Sequence, residues 1–150
     1  MMTPKGPKVI EYNCRFGDPE TQVVLPLLKS DLLTIMQSTV NGTLAETPVE
    51  FSSGAACCVV LASGGYPVSY KSGYPIAGLA EAGKIATVFH AGTKLVDGQL
   101  VTSGGRVLGV TATADTLPDA IKRAYQAANQ ISFTDLHMRR DIGQRALQTL

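Results

Sequence analysis

The sequence lacks the features typical of proteins that bind polyanions or span membranes. Its 13 basic and 12 acidic residues leave a formal net charge of +1, without a dense run of lysine or arginine. Nucleic acids and anionic membranes are usually bound by a basic face, so neither partner is expected. The apolar stretch at residues 55–62 is far too short to cross a bilayer. Residues 1–8 lack the apolar core of a signal peptide, and we expect a cytoplasmic protein.

Cysteine is scarce, and no Cys-x-x-Cys pair occurs. The three cysteines are Cys14, Cys57 and Cys58, an odd number of which two are adjacent. Neighbouring residues on a strand point to opposite faces, so Cys57 and Cys58 would not readily form a disulfide. The pattern offers these thiols no general base, which argues against a cysteine nucleophile. We expect reduced, buried thiols, as in a cytosolic protein.

The remaining composition is that of an ordinary folded domain. Hydrophobic residues make up 45% of the 150 residues and charged residues 17%. That length accommodates one domain, or one domain and a piece of another. Residues 8–15 favour a strand because Val9, Ile10 and Tyr12 have high strand propensity.

Two helices are predicted after this strand. Asp18 suits the N-cap of the first helix, and Pro26 should kink or end it. Asp31 can cap the second helix, and Gly42 is a typical stop signal at its end. These signals are local, so they predict helix positions without reference to tertiary contacts.

After a polar junction at residues 43–54, the pattern changes to β-structure. Asp97 and Gly98 lie between short apolar runs and are the strongest hairpin signal in the chain. Thr116 can cap a helix over residues 117–131, and Asp141 can cap a short helix over residues 142–149. Strands are predicted at residues 49–51, 55–62, 84–89 and 106–113, and residues 94–102 are predicted to form the hairpin. This order predicts an α+β fold with a mainly antiparallel β unit and one long helix.

Three polar residues share one face of the first predicted strand. Glu11, Asn13 and Arg15 are alternate residues, so their side chains point the same way. Carboxylate and amide oxygens are hard ligands suited to Mg²⁺, and a guanidinium group can hold a phosphate or neutralise an oxyanion. The alternative is an exposed edge strand with a Glu–Arg ion pair. Glu-x-Asn is a short pattern, and spacing alone does not decide between the two.

A series of longer segments resembles one enzyme family. Residues 7–22 (PKVIEYNCRFGDPETQ) resemble the hallmark segment of phosphoribosylamine–glycine ligases. The resemblance continues in the order of that family through the segments LPLLKSDL (25–32), VLASGGYP (60–67), VFHAGT (88–93), GGRVLGVT (104–111) and RRDIGQRA (139–146). It covers the chain almost from end to end.

The resemblance implies a reaction and a metal site. In this family, ATP phosphorylates the carboxylate of glycine, and the amine of 5-phosphoribosylamine attacks the acyl phosphate to give glycinamide ribonucleotide. Glu11 and Asn13 match the family's ligands for Mg²⁺ or Mn²⁺. Arg15 matches the arginine that follows this pair, and we expect it at the transferring phosphoryl group. The alternative role for Arg15 is an ion pair that holds Glu11.

The resemblance also implies that this chain is one portion of a longer enzyme. Residues 1–48 are expected to be the end of an ATP-grasp domain, and residues 49–150 the C-terminal domain of the ligase. The pocket for ATP would lie mostly outside this chain, so we expect the fragment alone to be inactive and to self-associate through surfaces left uncovered. Two alternatives stay open: a stand-alone binding module that has lost catalysis, and the ligase portion of a multifunctional purine enzyme.

A second candidate site lies near the end of the chain. Arg139 and Arg140 precede the predicted terminal helix, where helix amides and guanidinium groups together can bind a phosphate. A related ATP-grasp enzyme resembles this pattern, with paired arginines that grip a ribonucleotide 5′-phosphate. We therefore expect the two arginines to bind the phosphate of phosphoribosylamine. The alternative is a set of solvated charges.

Three further features are weaker candidates. His90 ends a predicted strand and either contacts substrate or is a hydrogen-bonded structural residue. Arg106 follows a double-glycine turn and could line the cleft. Residues 64–67 (GGYP) resemble a glycine-rich loop but lack the Lys-Ser/Thr of a Walker-type site, so we expect a tight turn that faces the cleft.

Overall fold

A computed structural model of the chain describes residues 1–148. The helices within this range are α1 (Thr21–Val24), α2 (Leu32–Asn41), α3 (Leu79–Gly83), α4 (Leu117–Ala128) and α5 (Gln144–Leu147), with short 3₁₀ turns at Leu25–Leu27 and Leu44–Glu46. The strands are β1 (Met2–Thr3), β2 (Gly6–Pro7), β3 (Ala55–Ser63), β4 (Thr87–His90), β5 (Thr93–Val96), β6 (Gln99–Thr102), β7 (Arg106–Ala114) and β8 (Leu136–His137). The mixture of helices and antiparallel sheet confirms the coarse α+β prediction.

The centre of the fold is an antiparallel sheet with the strand order β4-β7-β3-β8. Its long inner strands, β3 and β7, pair from Ala55 opposite Ala114 to Leu61 opposite Leu108, after which the register shifts. Because side chains alternate along a strand, this pairing gives the sheet two faces of different character. One face carries Val59, Leu61 and Val110, which are fully or almost fully buried.

Helix α4 covers this apolar face. It begins at the predicted cap, where Thr116 Oγ1 accepts a hydrogen bond from the Asp119 amide at 3.3 Å and donates one to the Asp119 carboxylate at 2.6 Å. The buried side of the helix is mostly small, with residues Ala120, Ile121, Ala124, Ala127 and Ala128. Small side chains let the helix approach the sheet closely. The large side chains that β3 and β7 contribute can then fill the core.

The opposite face of the sheet is covered by residues 21–27. On this face lie Cys58 and Thr111, which are directly opposite each other in the β3–β7 register. The same face carries Gly109, where a Cβ atom would lie 3.3 Å from the Cys58 sulfur and 3.9 Å from Cγ of Gln22. A side chain at residue 109 would therefore crowd the Cys58 sulfur.

Most predictions that depended on local signals are confirmed. Asp31 caps α2 by accepting a hydrogen bond from the Thr34 amide at 2.7 Å, and Gly42 follows the helix with a φ of 73°. Strands β5 and β6 form the predicted hairpin. Its two turn residues, Asp97 and Gly98, have φ values of 49° and 78°, the pair of positive angles that tight hairpin turns require.

The first predicted strand, at residues 8–15, is wrong, because the structure has no strand there. Residues 8–14 have no regular secondary structure. They follow a short hairpin of β1 and β2, strands of two residues each. A strand needs a hydrogen-bonded neighbour, and within residues 1–148 no strand lies beside this segment. The prediction of Asp18 as the N-cap of the first helix is also wrong. Helix α1 begins at Thr21, and Glu20 is its N-cap.

Other element boundaries differ where backbone contacts between distant residues decide them. The helix predicted to reach residue 131 ends at Ala128, because Ser132 exchanges two backbone hydrogen bonds with Ala77 at 2.9 and 3.1 Å. Strand β4 starts at Thr87, because α3 ends at Gly83 and residues 84–86 form the turn that follows it, with amides that donate to carbonyls of α3. The predicted strand at 49–51 is a single bridge between Phe51 and Leu28.

The terminal helix is shorter than predicted. Helix α5 has four residues, and the position before it is Gly143, not Asp141. The end of the predicted range, at residue 149, lies outside the described residues. None of the helices within residues 1–148 is both long enough and apolar enough to cross a membrane.

The burial of Leu61 gives a first test of this core. Leu61 is 0% exposed, whereas Leu95 on the hairpin is 71% exposed. We expect Leu61→Ala to lower the free energy of unfolding by about 2–5 kcal/mol, because it leaves a cavity between the sheet and α4. Leu95→Ala removes the same atoms and should change it by less than about 0.5 kcal/mol. Urea titrations of both variants measure this difference, and equal effects would contradict the assigned core.

Candidate functional site

A cleft of about 1490 Å³ lies between the N-terminal segment and the sheet. One wall is formed by Phe16, Gly17 and Asp18 together with residues of α1. The other wall is formed by residues 83–91, which include β4, and by Thr111, Ala112 and Thr113 of β7. The cleft therefore brings part of the segment 7–22 against strands that follow it in the sequence by more than 60 residues.

An arginine on the sheet holds the N-terminal wall. Arg106, the first residue of β7, donates a hydrogen bond from Nη1 to the Asp18 carbonyl at 3.1 Å. Its Nη2 lies 3.2 Å from Oδ2 of the Asp18 carboxylate. The sequence left open whether Arg106 lines the cleft; Arg106 instead contacts Asp18, which is one of the lining residues. The contact spans 88 residues of sequence.

Two polar atoms at this cleft lack a partner among the described residues. They are Oε1 of Gln22 and the hydroxyl of Thr111, and both are buried. Gln22 Nε2 donates to Oδ1 of Asp18 at 3.0 Å. A carboxylate can only accept, so the carbonyl end of the Gln22 amide is the free acceptor. The Gln22 carbonyl can accept from an N–H or O–H donor, and the Thr111 hydroxyl can donate or accept.

The predicted metal ligands lie on the exposed segment before this wall. Glu11 and Asn13 are exposed, and neither side chain has a hydrogen-bond or ion-pair partner within residues 1–148. Arg15 donates from Nη1 to the Phe16 carbonyl at 3.3 Å. The alternative ion pair between Glu11 and Arg15 is not formed. The side chains that could bind a cation are therefore free to do so.

The oxygen atoms of Glu11 and Asn13 suit a cation that is also bound by substrate phosphates better than a cation that is enclosed by protein ligands alone. No group of three or more His, Cys, Asp or Glu residues is positioned to hold a metal in the described part of the chain. Mg²⁺ is commonly bound through one or two carboxylates, with substrate phosphates and waters as its other ligands. One carboxylate and one amide oxygen, both exposed, are consistent with that type of site.

The two arginines near the end of the chain are engaged locally. Arg139 forms a bidentate pair with Asp141, at 2.9 Å from Nε to Oδ1 and 2.8 Å from Nη2 to Oδ2. This hydrogen bonding raises the pKa of Arg139 and lowers the pKa of Asp141. Arg140 donates to Oδ1 of Asn129 at 2.8 Å. Neither arginine lines the cleft.

The weaker candidates make local contacts in this chain. His90 lines the cleft, and its Nδ1 lies 3.1 Å from Oγ1 of Thr93. Residues 64–67 form a tight turn in which the Tyr66 amide donates to the Ser63 carbonyl at 3.1 Å. That turn was predicted to face the cleft, but it does not contribute to the lining. Sequence reasoning missed Gln22 and Thr111, because no spacing pattern links them.

The comparisons with known proteins identify the family. Residues 56–145 match the family model described as "Phosphoribosylglycinamide synthetase, C domain". The chain belongs to this family. It is 51% identical over 152 residues to a phosphoribosylamine–glycine ligase of Rhodopirellula baltica, with 99% of this chain and 35% of the relative covered.

Two further relatives extend this membership. The chain is 50% identical to the trifunctional purine biosynthetic protein adenosine-3 of Gallus gallus, with 100% of this chain and 15% of that protein covered. The crystal structure of a phosphoribosylamine–glycine ligase from Thermotoga maritima is similar with a TM-score of 0.81 and 37% identity, and covers 95% of this chain and 35% of that one. The resemblance found in the sequence is thus confirmed. The chain spans about a third of the length of the ligases it matches.

The buried cysteines of this family member are poor nucleophiles. Burial, together with the adjacent Cys58, raises the pKa of Cys57 to about 11. Burial also raises the pKa of Cys58. The thiolate is the reactive form, so neither residue is suited to covalent catalysis.

These environments predict the thiol reactivity of the folded chain. Cys14 is exposed, whereas Cys57 and Cys58 are buried. We expect a disulfide reagent near neutral pH to modify one thiol per folded chain quickly and all three after denaturation. Cys14→Ser is the matched control and should abolish the fast phase. Fast modification of two thiols in the folded chain would contradict the burial described here.

Proposed function

We propose that these residues form part of an ATP-dependent ligase that joins glycine to 5-phosphoribosylamine. The products are glycinamide ribonucleotide, ADP and phosphate, in purine biosynthesis. The observation that carries this proposal is the match of about half of all residues to ligases of this name over 98–99% of the chain. The activity is assigned to the complete protein, because these residues span only about a third of those relatives.

The proposed chemistry has two steps. The carboxylate of glycine attacks the γ-phosphorus of ATP, which gives an acyl phosphate and ADP. The amine of phosphoribosylamine then attacks the acyl carbon, and phosphate leaves as the C–N bond forms. Both steps concentrate negative charge on phosphoryl oxygens, so positively charged groups placed beside them lower the barriers.

The residues proposed for this task are those of the exposed segment. Glu11 and Asn13 offer oxygen ligands to Mg²⁺ or Mn²⁺, and the cation supplies neutralisation of phosphate charge when bound. Arg15 supplies a guanidinium group two residues further on, where it can contact the transferring phosphoryl group. Two observations in this chain support the proposal. The side chains of Glu11 and Asn13 have no other partners within residues 1–148, and Arg15 forms no ion pair with Glu11.

The remainder of the site is proposed to lie in other parts of the enzyme. We assign residues 1–48 to the end of an ATP-grasp domain and residues 49–150 to the C-terminal domain, with the ATP pocket mostly outside both. The isolated chain is therefore expected to be inactive. Its exposed apolar residues near the metal ligands, Val9, Ile10 and Tyr12, are 67%, 72% and 82% exposed. Such a surface favours the predicted self-association of the fragment.

Loss of the oxygen ligands tests the proposed function. In the complete enzyme, Glu11→Gln and Asn13→Ala should each lower kcat by about 100-fold or more, because a bound cation supplies several kcal/mol of charge stabilisation. The Mg²⁺ concentration for half-maximal activity should rise. Glu46→Gln removes an exposed carboxylate elsewhere and serves as the control. Full activity in both ligand variants would overturn the metal assignment, and absence of glycinamide ribonucleotide formation by the unmodified enzyme would overturn the function.

The paired arginines give a separate test of phosphoribosylamine binding. We assign the 5-phosphate of this substrate to Arg139 and Arg140, which requires Arg139 to exchange Asp141 for the phosphate. The ion pair is exposed, and such pairs are weak in water, so the exchange is feasible. Changing both arginines to Ala should raise the KM for phosphoribosylamine at least about tenfold with little change in the KM for ATP. An unchanged KM would remove the assignment.

A further inference from the structure

The segment that carries the proposed metal ligands leads directly into the wall of the cleft. Glu11, Asn13 and Arg15 are exposed, and Phe16, Gly17 and Asp18 line the cleft. Catalytic groups must be held close to the productive geometry, so a contact that fixes the chain just after Arg15 bears on the position of all three side chains.

Arg106 provides such a contact from a rigid base. Its carbonyl accepts a hydrogen bond from the Gly92 amide at 2.9 Å, and Val107, the next residue, is 0% exposed. The chain around it is closely packed: a Cβ atom on Gly92 would lie 2.6 Å from Cα of Gly104. The guanidinium group is thus presented by a strand whose backbone is fixed on both sides.

The receiving residue is held at both carboxylate oxygens. Oδ2 of Asp18 faces Nη2 of Arg106 at 3.2 Å, and Oδ1 accepts from Gln22 at 3.0 Å. The Asp18 carbonyl accepts a second bond from Arg106 at 3.1 Å. On the next residue back, the Gly17 carbonyl accepts from the Thr21 amide at 3.0 Å. These contacts fix the orientation of the chain three residues after Arg15.

We propose that Arg106 is a positioning residue for the reaction, which acts by holding Asp18 so that Arg15 and the two metal ligands before it face the transferring phosphoryl group. This inference rests on the proposed function. Arg106 itself touches neither metal nor substrate in this role. Its second contact, to the Asp18 backbone carbonyl, fixes the main chain rather than a side chain alone, which a simple surface ion pair would not do.

The first arm of the test measures the position of the segment in the 150-residue chain. Arg106→Gln should lower the ¹⁵N heteronuclear NOE values and increase the amide exchange rates of residues 12–18. Lys122→Gln removes an exposed cation from α4 and is the matched control, with unchanged values expected. If Arg106→Gln leaves the dynamics of residues 12–18 unchanged, the inference is overturned. This arm requires no catalysis, so it stands apart from the proposed function.

The second arm measures kinetics in the complete enzyme. Arg106→Gln should lower kcat about 10- to 100-fold, the range typical of residues that orient metal ligands, and should raise the Mg²⁺ requirement. The KM for phosphoribosylamine should change little. Arg106→Lys, which keeps the charge but not the two-point contact, should have intermediate kcat. Asp18→Asn removes the anionic partner while leaving Arg106 in place, so it provides a second variant if Arg106→Gln folds poorly.

The combination of Arg106→Gln with Asp18→Asn decides between positioning and general stability. If both act through one contact, the double variant should lose about as much kcat as the more damaging single variant. Multiplicative losses, or losses of kcat that vanish once the folded fraction is corrected for, would overturn the inference. If the unmodified enzyme forms no glycinamide ribonucleotide, the proposed function fails, whatever the NOE values show. If Glu11→Gln and Asn13→Ala lose activity while Arg106→Gln keeps it, only the present inference fails.

Discussion

The pairing of β3 with β7 is the constraint on which the rest of the structure depends. Its register places Val59, Leu61 and Val110 towards α4, and places Cys58 and Thr111 towards the N-terminal segment. A shift of one residue would exchange these two faces, so that polar groups would enter the core and apolar ones would line the cleft. The same pairing sets where β7 begins and therefore where the guanidinium group of its first residue is presented. Core and cleft are thus two consequences of one set of backbone hydrogen bonds.

The parts of the fold that sequence predicted well are those decided within a few residues. Asp31 and Thr116 cap their helices as expected, and Asp97 with Gly98 forms the hairpin turn, because the hydrogen bonds and φ angles involved are local. The parts it missed are decided by partners far away in the chain. The end of α4 is set by the Ser132–Ala77 bridge, and residues 8–15 had strand propensity without a neighbouring strand in the described residues.

The residues of the candidate site fall into the same two groups, those found from local sequence and those found only from contacts between distant residues. Glu11, Asn13 and Arg15 could be found from a contiguous motif, whose resemblance to a family extends through the chain and was confirmed by comparison. The contact of Arg106 with Asp18 bridges 88 residues and leaves no trace in the spacing of either. Gln22 and Thr111 become conspicuous only once burial shows that their oxygens lack partners. The motif locates the proposed ligands, whereas the fold reveals contacts between residues that are distant in sequence.

The near-contact of Gly92 and Gly104 has a consequence for how this chain tolerates change. Both residues lie outside the strands, in positions where a sequence comparison would ordinarily expect variability. A single methyl group at residue 92 would nevertheless lie 2.7 Å from the Arg106 carbonyl, closer than side-chain carbons are found to approach. A substitution that resembles a harmless loop polymorphism would therefore behave as a defect of the interior, and it would displace the arginine that contacts Asp18.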